Sequence, residues 1–90
     1  MCIIIEQLNK DELTEKGVLS WPIWEKEVSE FDWYYDATEE CYILEGEVEV
    51  DTGTKKYLIK SGDFVRFEKG LSCKWNIKKD IRKHYFFPKD

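Results

Sequence analysis

Three side chains in this sequence suggest chemistry: the Glu39 carboxylate, the Cys73 thiol and the Lys83 ammonium. A carboxylate at the mouth of a cavity can act as a general acid or base, because partial burial favours its protonated form. A cavity-facing cysteine can be a nucleophile or a ligand, and a nearby lysine would stabilise its thiolate. Plainer interpretations stay open: a solvated loop acid, an inert buried thiol and a charged edge strand.

Aromatic residues accompany these candidates. Alternation along the predicted strands puts Trp33, Tyr35 and Trp75 on the face of Glu39 or Cys73. Tryptophan and tyrosine rings beside a carboxylate and a lysine are typical of a pocket for a small polar metabolite, since the rings stack and the hydroxyls orient the ligand. Plain core packing is the alternative, and parity alone does not choose between them.

Metal chemistry is limited by the small number of ligands. With one histidine, His84, a two- or three-histidine centre cannot form within one chain. The cysteines lack CxxC spacing, and their odd number without an export signal indicates reduced thiols. No cofactor is therefore expected. The alternative is a divalent metal such as Zn²⁺ or Mn²⁺, and Glu39 and Cys73 could bind Zn²⁺ together with Asp32 or His84. The expected free thiols are those of Cys2, Cys41 and Cys73.

Short β-strands must position these residues. From Glu30 onward the polarity alternates with period two, and turn residues interrupt it at intervals of roughly 8–12 residues, which predicts an antiparallel sandwich or small barrel. Turns are expected at Gly46, where two strands would fold back on each other, and at 51–53, 61–63 and 69–70.

The first 24 residues have a different character. Ile3-Ile4-Ile5 suits a first strand, and the segment from Asn9 to Gly17 carries the signals of a short helix. Pro22 interrupts Ser20 to Trp24, which favours an extended or looping segment.

Length and charge exclude several classes of protein. Ninety residues predict a single domain, 1–90, and the net charge of −5 with interleaved signs argues against nucleic acid as a partner. The apolar start ends at Glu6, too short for a membrane span and unlike a signal peptide, so a cytoplasmic protein is expected.

The motifs resemble those of the cupin superfamily, G(X)5HXH(X)3–4E(X)6G and G(X)5PXG(X)2H(X)3N. Glu39 stands seven residues before Gly46, and Gly62-Asp63 leads to Gly70 as in the second motif. In the first motif, the histidine pair is replaced by Asp32 and Tyr34 or by Trp33 and Tyr35, depending on the spacing before Glu39. In the second motif, Cys73 stands at the histidine position. Of the four usual metal ligands, only Glu39 remains. The resemblance implies an all-β cupin fold, a double-stranded β-helix or jelly-roll-like small barrel, here with a short N-terminal helix.

A narrower resemblance is to small single-domain cupins related to the cupin domain of (S)-ureidoglycine aminohydrolase. It rests on these segments: Trp21-Pro22, Phe31 to Tyr35, Leu44 to Gly46, Gly62-Asp63, Gly70, Trp75 and Arg82 to Tyr85. It implies that Lys83 and Tyr85 face the barrel interior, with His84 at the surface or an interface. The expected pocket then comprises Trp33, Tyr35, Glu39, Cys73, Trp75, Lys83 and Tyr85.

Two functions follow as expectations. The first is metal-free binding of a small polar metabolite in the cavity, and the alternative is a ureidoglycine-aminohydrolase-like enzyme that uses Glu39, Cys73 and Lys83. A homodimer is also expected, because aromatic residues of the opposite parity face outward and a second subunit would bury their apolar surface. The outward residues in question are Tyr42, Leu44, Phe64, Phe86 and Phe87.

Overall fold

The computed structural model describes residues 3–89, so Cys2, one of the expected free thiols, lies outside the described residues. The predicted all-β fold with one short helix is confirmed. Its elements are β1 (Ile3–Glu6), α1 (Lys10–Lys16), a 3₁₀ turn (Val18–Ser20), β2 (Ile23–Lys26), β3 (Ser29–Tyr34), β4 (Glu39–Asp51), β5 (Lys56–Lys60), β6 (Phe64–Phe67) and β7 (Ser72–Phe86).

Two long strands organise the sheet. All strand pairs are antiparallel, in the order β1-β6-β4-β7-β2, with β3 also paired to β7 and β5 also paired to β4. The start of β4 pairs with β6 and its end with β5, while the start of β7 pairs with β3 and its end with β2. Because each long strand changes partners along its length, the sheet curls and its inner side chains share one core.

Gly46 bends β4 instead of ending it, so the predicted strand reversal at this residue is wrong. The residue has φ +102° and lies among register irregularities between β4 and β7. A glycine in the sequence indicates that the backbone has a positive φ at that position. A β-bulge can need such a residue as well as a hairpin turn, so the glycine alone does not show that the chain reverses. The other expected turns join β4 to β5, β5 to β6 and β6 to β7.

The N-terminal segment covers the outside of the barrel. The predicted helix is confirmed, with a capping box between Asn9 and Glu12 at its start and Gly17 in the left-handed conformation at its end. Beyond Pro22 the chain forms β2, an edge strand that the proline concealed. The Pro22 carbonyl accepts a hydrogen bond from the backbone N–H of Tyr85.

A second apolar cluster lies beneath this N-terminal segment. Leu13 and Val18 pack there with Phe64, and Trp21 and Tyr42 are partly buried against them. Part of the outward aromatic surface is thus covered by the chain itself, which removes part of the reason to expect a homodimer; the dimer stays a prediction. No helix within residues 3–89 is long and apolar enough to cross a membrane.

Candidate functional site

An ion pair lies inside the barrel between Glu39, the first residue of β4, and Lys83, near the end of β7. The Lys83 Nζ donates a hydrogen bond of 2.7 Å to Oε2 of Glu39. The two side chains are only 6% and 8% exposed, for Lys83 and Glu39 respectively. Alternation along antiparallel strands brings these residues onto one inward face although 44 positions separate them.

Aromatic rings surround the ammonium group of this pair. The Lys83 Nζ lies 4.8 Å from the ring centroid of Trp75, 5.0 Å from that of Trp24 and 6.0 Å from that of Phe67. Trp24 and Trp75 meet edge to face with centroids 6.0 Å apart. The rings exclude water while their faces attract the cation, so the charge is retained in apolar surroundings.

Lys83 remains an ammonium group at neutral pH. Burial alone disfavours its charged form, but Cys41 and Glu39 act in the opposite direction and the pKa of Lys83 is raised above its ordinary value. The Cys41 thiol is neutral at this pH, so the Glu39 carboxylate is the effective partner. The site therefore presents a donor cation beside an acceptor anion.

The ion pair forms part of the wall of a cavity of about 720 Å³. Six of the seven expected pocket residues lie on this wall: Trp33, Tyr35, Glu39, Trp75, Lys83 and Tyr85. The remaining wall residues are Trp24, Glu25, Lys26, Ser29, Glu30, Phe31 and Phe87. Trp33 is 52% exposed while Tyr35 is 3% exposed, so the two inward residues of this segment differ in depth. Phe87, expected on the outside, also faces this cavity.

Cys73 is not among the wall residues. It lies opposite Trp33 in the β3–β7 pair and is buried in the main core. Burial raises the pKa of the Cys73 thiol to about 11, with a smaller opposing effect from the indole of Trp75. The thiol is therefore protonated at neutral pH, which is the less reactive form.

Cys41 is the cysteine on which the Lys83 charge acts. Burial raises the pKa of Cys41 to about 12, and the ammonium of Lys83 opposes this rise. Neither Cys41 nor Cys73 forms a disulfide. The sequence predicts that Lys83 stabilises the thiolate of Cys73, but its charge acts on Cys41 instead. There the effect of burial on the thiol pKa is larger than the effect of Lys83, so the thiol stays protonated at neutral pH.

Tyr35 is buried in the same core as Cys41 and Cys73. Burial raises the pKa of the Tyr35 hydroxyl well above its ordinary value, followed by the Glu39 carboxylate and, at the high pH where this hydroxyl loses its proton, by the thiolates of Cys41 and Cys73. The buried Nε1–H of Trp75 lowers the pKa of both Tyr35 and Cys73, yet it has no hydrogen bond of normal geometry within residues 3–89.

The donor set does not fit the divalent metal that the cupin fold implies. Within the described part of the chain, no three His, Cys, Asp or Glu side chains form a group that could hold an ion. Glu39 is paired with an ammonium group that a cation would have to displace. Asp32 is exposed. His84, expected at the surface or an interface, is buried on the outer face, where its Nδ1–H donates to the Trp21 carbonyl at 2.8 Å.

Sequence reasoning missed three aromatic residues of the wall, Trp24, Phe31 and Phe87. Trp24 alternates with Ile23 and Glu25 in β2, but the preceding Pro22 obscured this short strand. Phe31 has the same parity as Trp33, and this signal was sufficient to place it on the wall.

Comparison with known proteins identifies the family. The family described as "EutQ-like cupin domain" matches residues 13–85. A crystal structure of a DUF861 family protein from Thermotoga maritima has a TM-score of 0.94 and 56% identity, covering 97% of this chain and 100% of that chain.

Two more distant structures share the fold. The EutQ protein of Clostridium difficile has a TM-score of 0.65 and 22% identity over 76% of this chain and 55% of that one. A putative ethanolamine utilization protein Q from Salmonella typhimurium has a TM-score of 0.64 and 21% identity over 94% of this chain and 68% of that one. Comparison with curated proteins gives no match. The cupin resemblance is confirmed, whereas the narrower likeness to (S)-ureidoglycine aminohydrolase stays a prediction: the chain belongs to the EutQ-like cupin domain family.

Proposed function

We propose that the barrel binds a small, polar, ring-containing metabolite in its aromatic cavity without a metal ion. The observation that carries this proposal is the buried Glu39–Lys83 pair on a largely aromatic wall. Buried ion pairs contribute little net stability compared with apolar residues of similar volume, because both charges lose their hydration. Stability therefore does not explain why this pair is buried, whereas recognition of a polar group on a ligand does.

The size and walls of the cavity support the same proposal. A volume of about 720 Å³ is within the usual range of pockets that enclose small molecules. Trp24, Phe31 and Trp33 offer ring faces and edges to a ligand. The likeness to the two EutQ structures is one of fold, so it supplies no substrate for this chain.

The alternative is catalysis of the ureidoglycine-aminohydrolase kind. One observation favours it: Glu39 lies on the cavity wall, where a general acid or base would have to be. Cys73 gives it less support, because its thiol is protonated and is not a wall residue. Catalysis would then depend on Glu39 with Lys83.

Ligand-induced thermal stabilisation tests the binding proposal. Neutral ring compounds such as phenol, indole and 2-pyridone should raise the Tm, and the rise should grow with the logarithm of ligand concentration once that concentration exceeds the Kd. β3 offers a matched pair of variants, since Trp33 and Tyr34 are neighbours that are 52% and 58% exposed, and only Trp33 is on the wall. Trp33→Ala should reduce the ligand-induced shift and Tyr34→Ala should leave it unchanged. No shift with any compound, or equal loss in both variants, would overturn the proposal.

A further inference from the structure

From the geometry of the ion pair, we infer that the polar end of this cavity recognises a neutral planar lactam or cyclic amide, a ring in which C=O and N–H groups are adjacent. This inference rests on the proposed function and names the class of ligand. Such an edge presents one acceptor and one donor side by side. The ion pair presents the complementary donor and acceptor.

Hydrogen-bonding capacity remains on both sides of the pair. The Lys83 ammonium has three N–H donors, of which one is given to Oε2 of Glu39. The other carboxylate oxygen, Oε1, accepts no hydrogen bond from residues 3–89. A ligand carbonyl can therefore accept from Nζ while the adjacent ligand N–H donates to Oε1, because the 2.7 Å contact between Nζ and Oε2 holds the ammonium and the carboxylate side by side.

The charge balance favours a neutral ligand. The ammonium and the carboxylate cancel, so an ionised ligand group placed against them would bring one uncompensated charge to a buried pair. The other charged residues of the wall, Glu25, Lys26 and Glu30, are exposed, so water screens their charges. Glu25 lies 3.5 Å from Arg82, and Glu30 lies 4.0 Å from Lys74.

The walls favour a planar ring. Phe31 is stacked on Trp75 with centroids 6.1 Å apart and an interplanar angle of 17°. Trp24 stands edge-on to Trp75, at 82°. Flat faces and edges in this arrangement contact a planar ring over more of its surface than a puckered aliphatic ring.

Pairs of probes that differ only in their N–H groups test the inference on the unmodified protein. 2-Pyridone and δ-valerolactam are each compared by calorimetric titration with the N-methyl form, and uracil is compared with 1,3-dimethyluracil because both of its N–H groups adjoin a carbonyl. Loss of a hydrogen bond to a charged group should weaken binding about tenfold or more. The planar probes should also bind more tightly than δ-valerolactam. Benzoate and benzylamine serve as charged rings of similar size and should bind more weakly than uracil.

Failure of this inference and failure of the proposed function give different results. If N-methylation leaves the affinity of every probe unchanged, or if a charged ring binds best, the lactam assignment is wrong while ligand binding stands. If no ring compound binds at all, the proposed function itself fails. Glu39→Gln should reduce the difference between the N–H and N-methyl probes, because an amide oxygen is a weaker acceptor than a carboxylate, whereas Lys83→Met should weaken the binding of both members of each pair. Tyr34→Ala, away from the wall, should preserve the difference between the probes.

Discussion

The backbone at Gly46 passes so close to Ile81 that a Cβ placed on Gly46 would lie 2.7 Å from the Ile81 Cα. This contact joins the middle of β4 to the middle of β7, at the place where their register is irregular. β4 and β7 remain paired with each other on both sides of this position, while the outer neighbour of β4 changes from β6 to β5 and that of β7 from β3 to β2. The curvature of the barrel thus depends on a position without a side chain.

We expect Gly46→Ala to destabilise the fold by several kcal/mol. Positive φ costs a residue with a side chain about 1–3 kcal/mol, and steric overlap with the opposing backbone adds about 1–3 kcal/mol. Gly53→Ala and Gly62→Ala are matched controls, because φ is +92° and +93° and neither added Cβ would meet an atom within 4 Å. Urea denaturation measures the difference. Equal losses at the three positions would show that the close contact with Ile81 has no energetic effect.

Removing one member of the buried ion pair should cost more than removing both. Lys83→Met and Glu39→Gln each leave the other group without its partner, at about 3–5 kcal/mol. The double variant removes both charges and should recover much of this loss. Denaturant titration of the four proteins gives the coupling energy. Additive losses would contradict the structure.

A neighbouring ion pair provides the control for this experiment. Glu40 follows Glu39 in sequence and lies on the other face of β4, 3.2 Å from Arg66, whose side chain is 40% exposed. Water screens this pair, so Arg66→Met should cost at most about 1 kcal/mol. A larger loss would indicate that the exposed pair has a structural role that its surroundings do not suggest.

Stability should fall as the pH rises from about 9 to about 12. The pKa of Cys41 is raised from 9.0 to about 12 and that of Cys73 to about 11, and Lys83 and Tyr35 are also shifted upward. In this range the folded protein keeps protons that the unfolded chain has released, so each such proton costs about 1.4 kcal/mol per pH unit. Cys41→Ala should reduce this slope in urea titrations at several pH values. An unchanged slope would show that Cys41 does not contribute.

Cys41 and Cys73 should resist thiol reagents in the native protein. Both are buried and protonated at neutral pH, and labelling requires the thiolate. A Cys2→Ser background leaves these two as the only thiols. Labelling with a colorimetric disulfide reagent at pH 7.5 should be slow without urea and rapid in it. Rapid native labelling that disappears in Cys73→Ser would instead favour the enzymatic alternative.

Much of the site follows from the period of a β-strand. Glu39, Tyr35 and Trp75 can be assigned to one interior because alternate residues face one side of a sheet, whatever their distance in sequence. The depth of a residue does not follow from the same rule. Trp33 has the parity of Tyr35, yet it lies at the exposed end of the cavity, because depth depends on how the strands tilt and curl.

Two local signals could be interpreted only in part from the sequence. Gly46 signals positive φ, but whether the chain then reverses depends on β7, a partner distant in sequence. Pro22 signals an interruption, but an edge strand can begin immediately after a proline whose carbonyl still accepts a hydrogen bond. Cys73 is a third case, since a thiol of the predicted inward parity can pack in the core without reaching the cavity wall.

The two faces of β7 also determine where the chain can change length. Lys83 lies among the cavity rings, and the next residue, His84, is 6% exposed beneath the N-terminal segment. Insertion of one residue into β7 before Lys83 would turn the His84 imidazole toward the cavity and the Lys83 ammonium toward the N-terminal segment. Affinity tags, fluorescent labels and inserted peptides are therefore best placed in the exposed loop around Gly53, between β4 and β5.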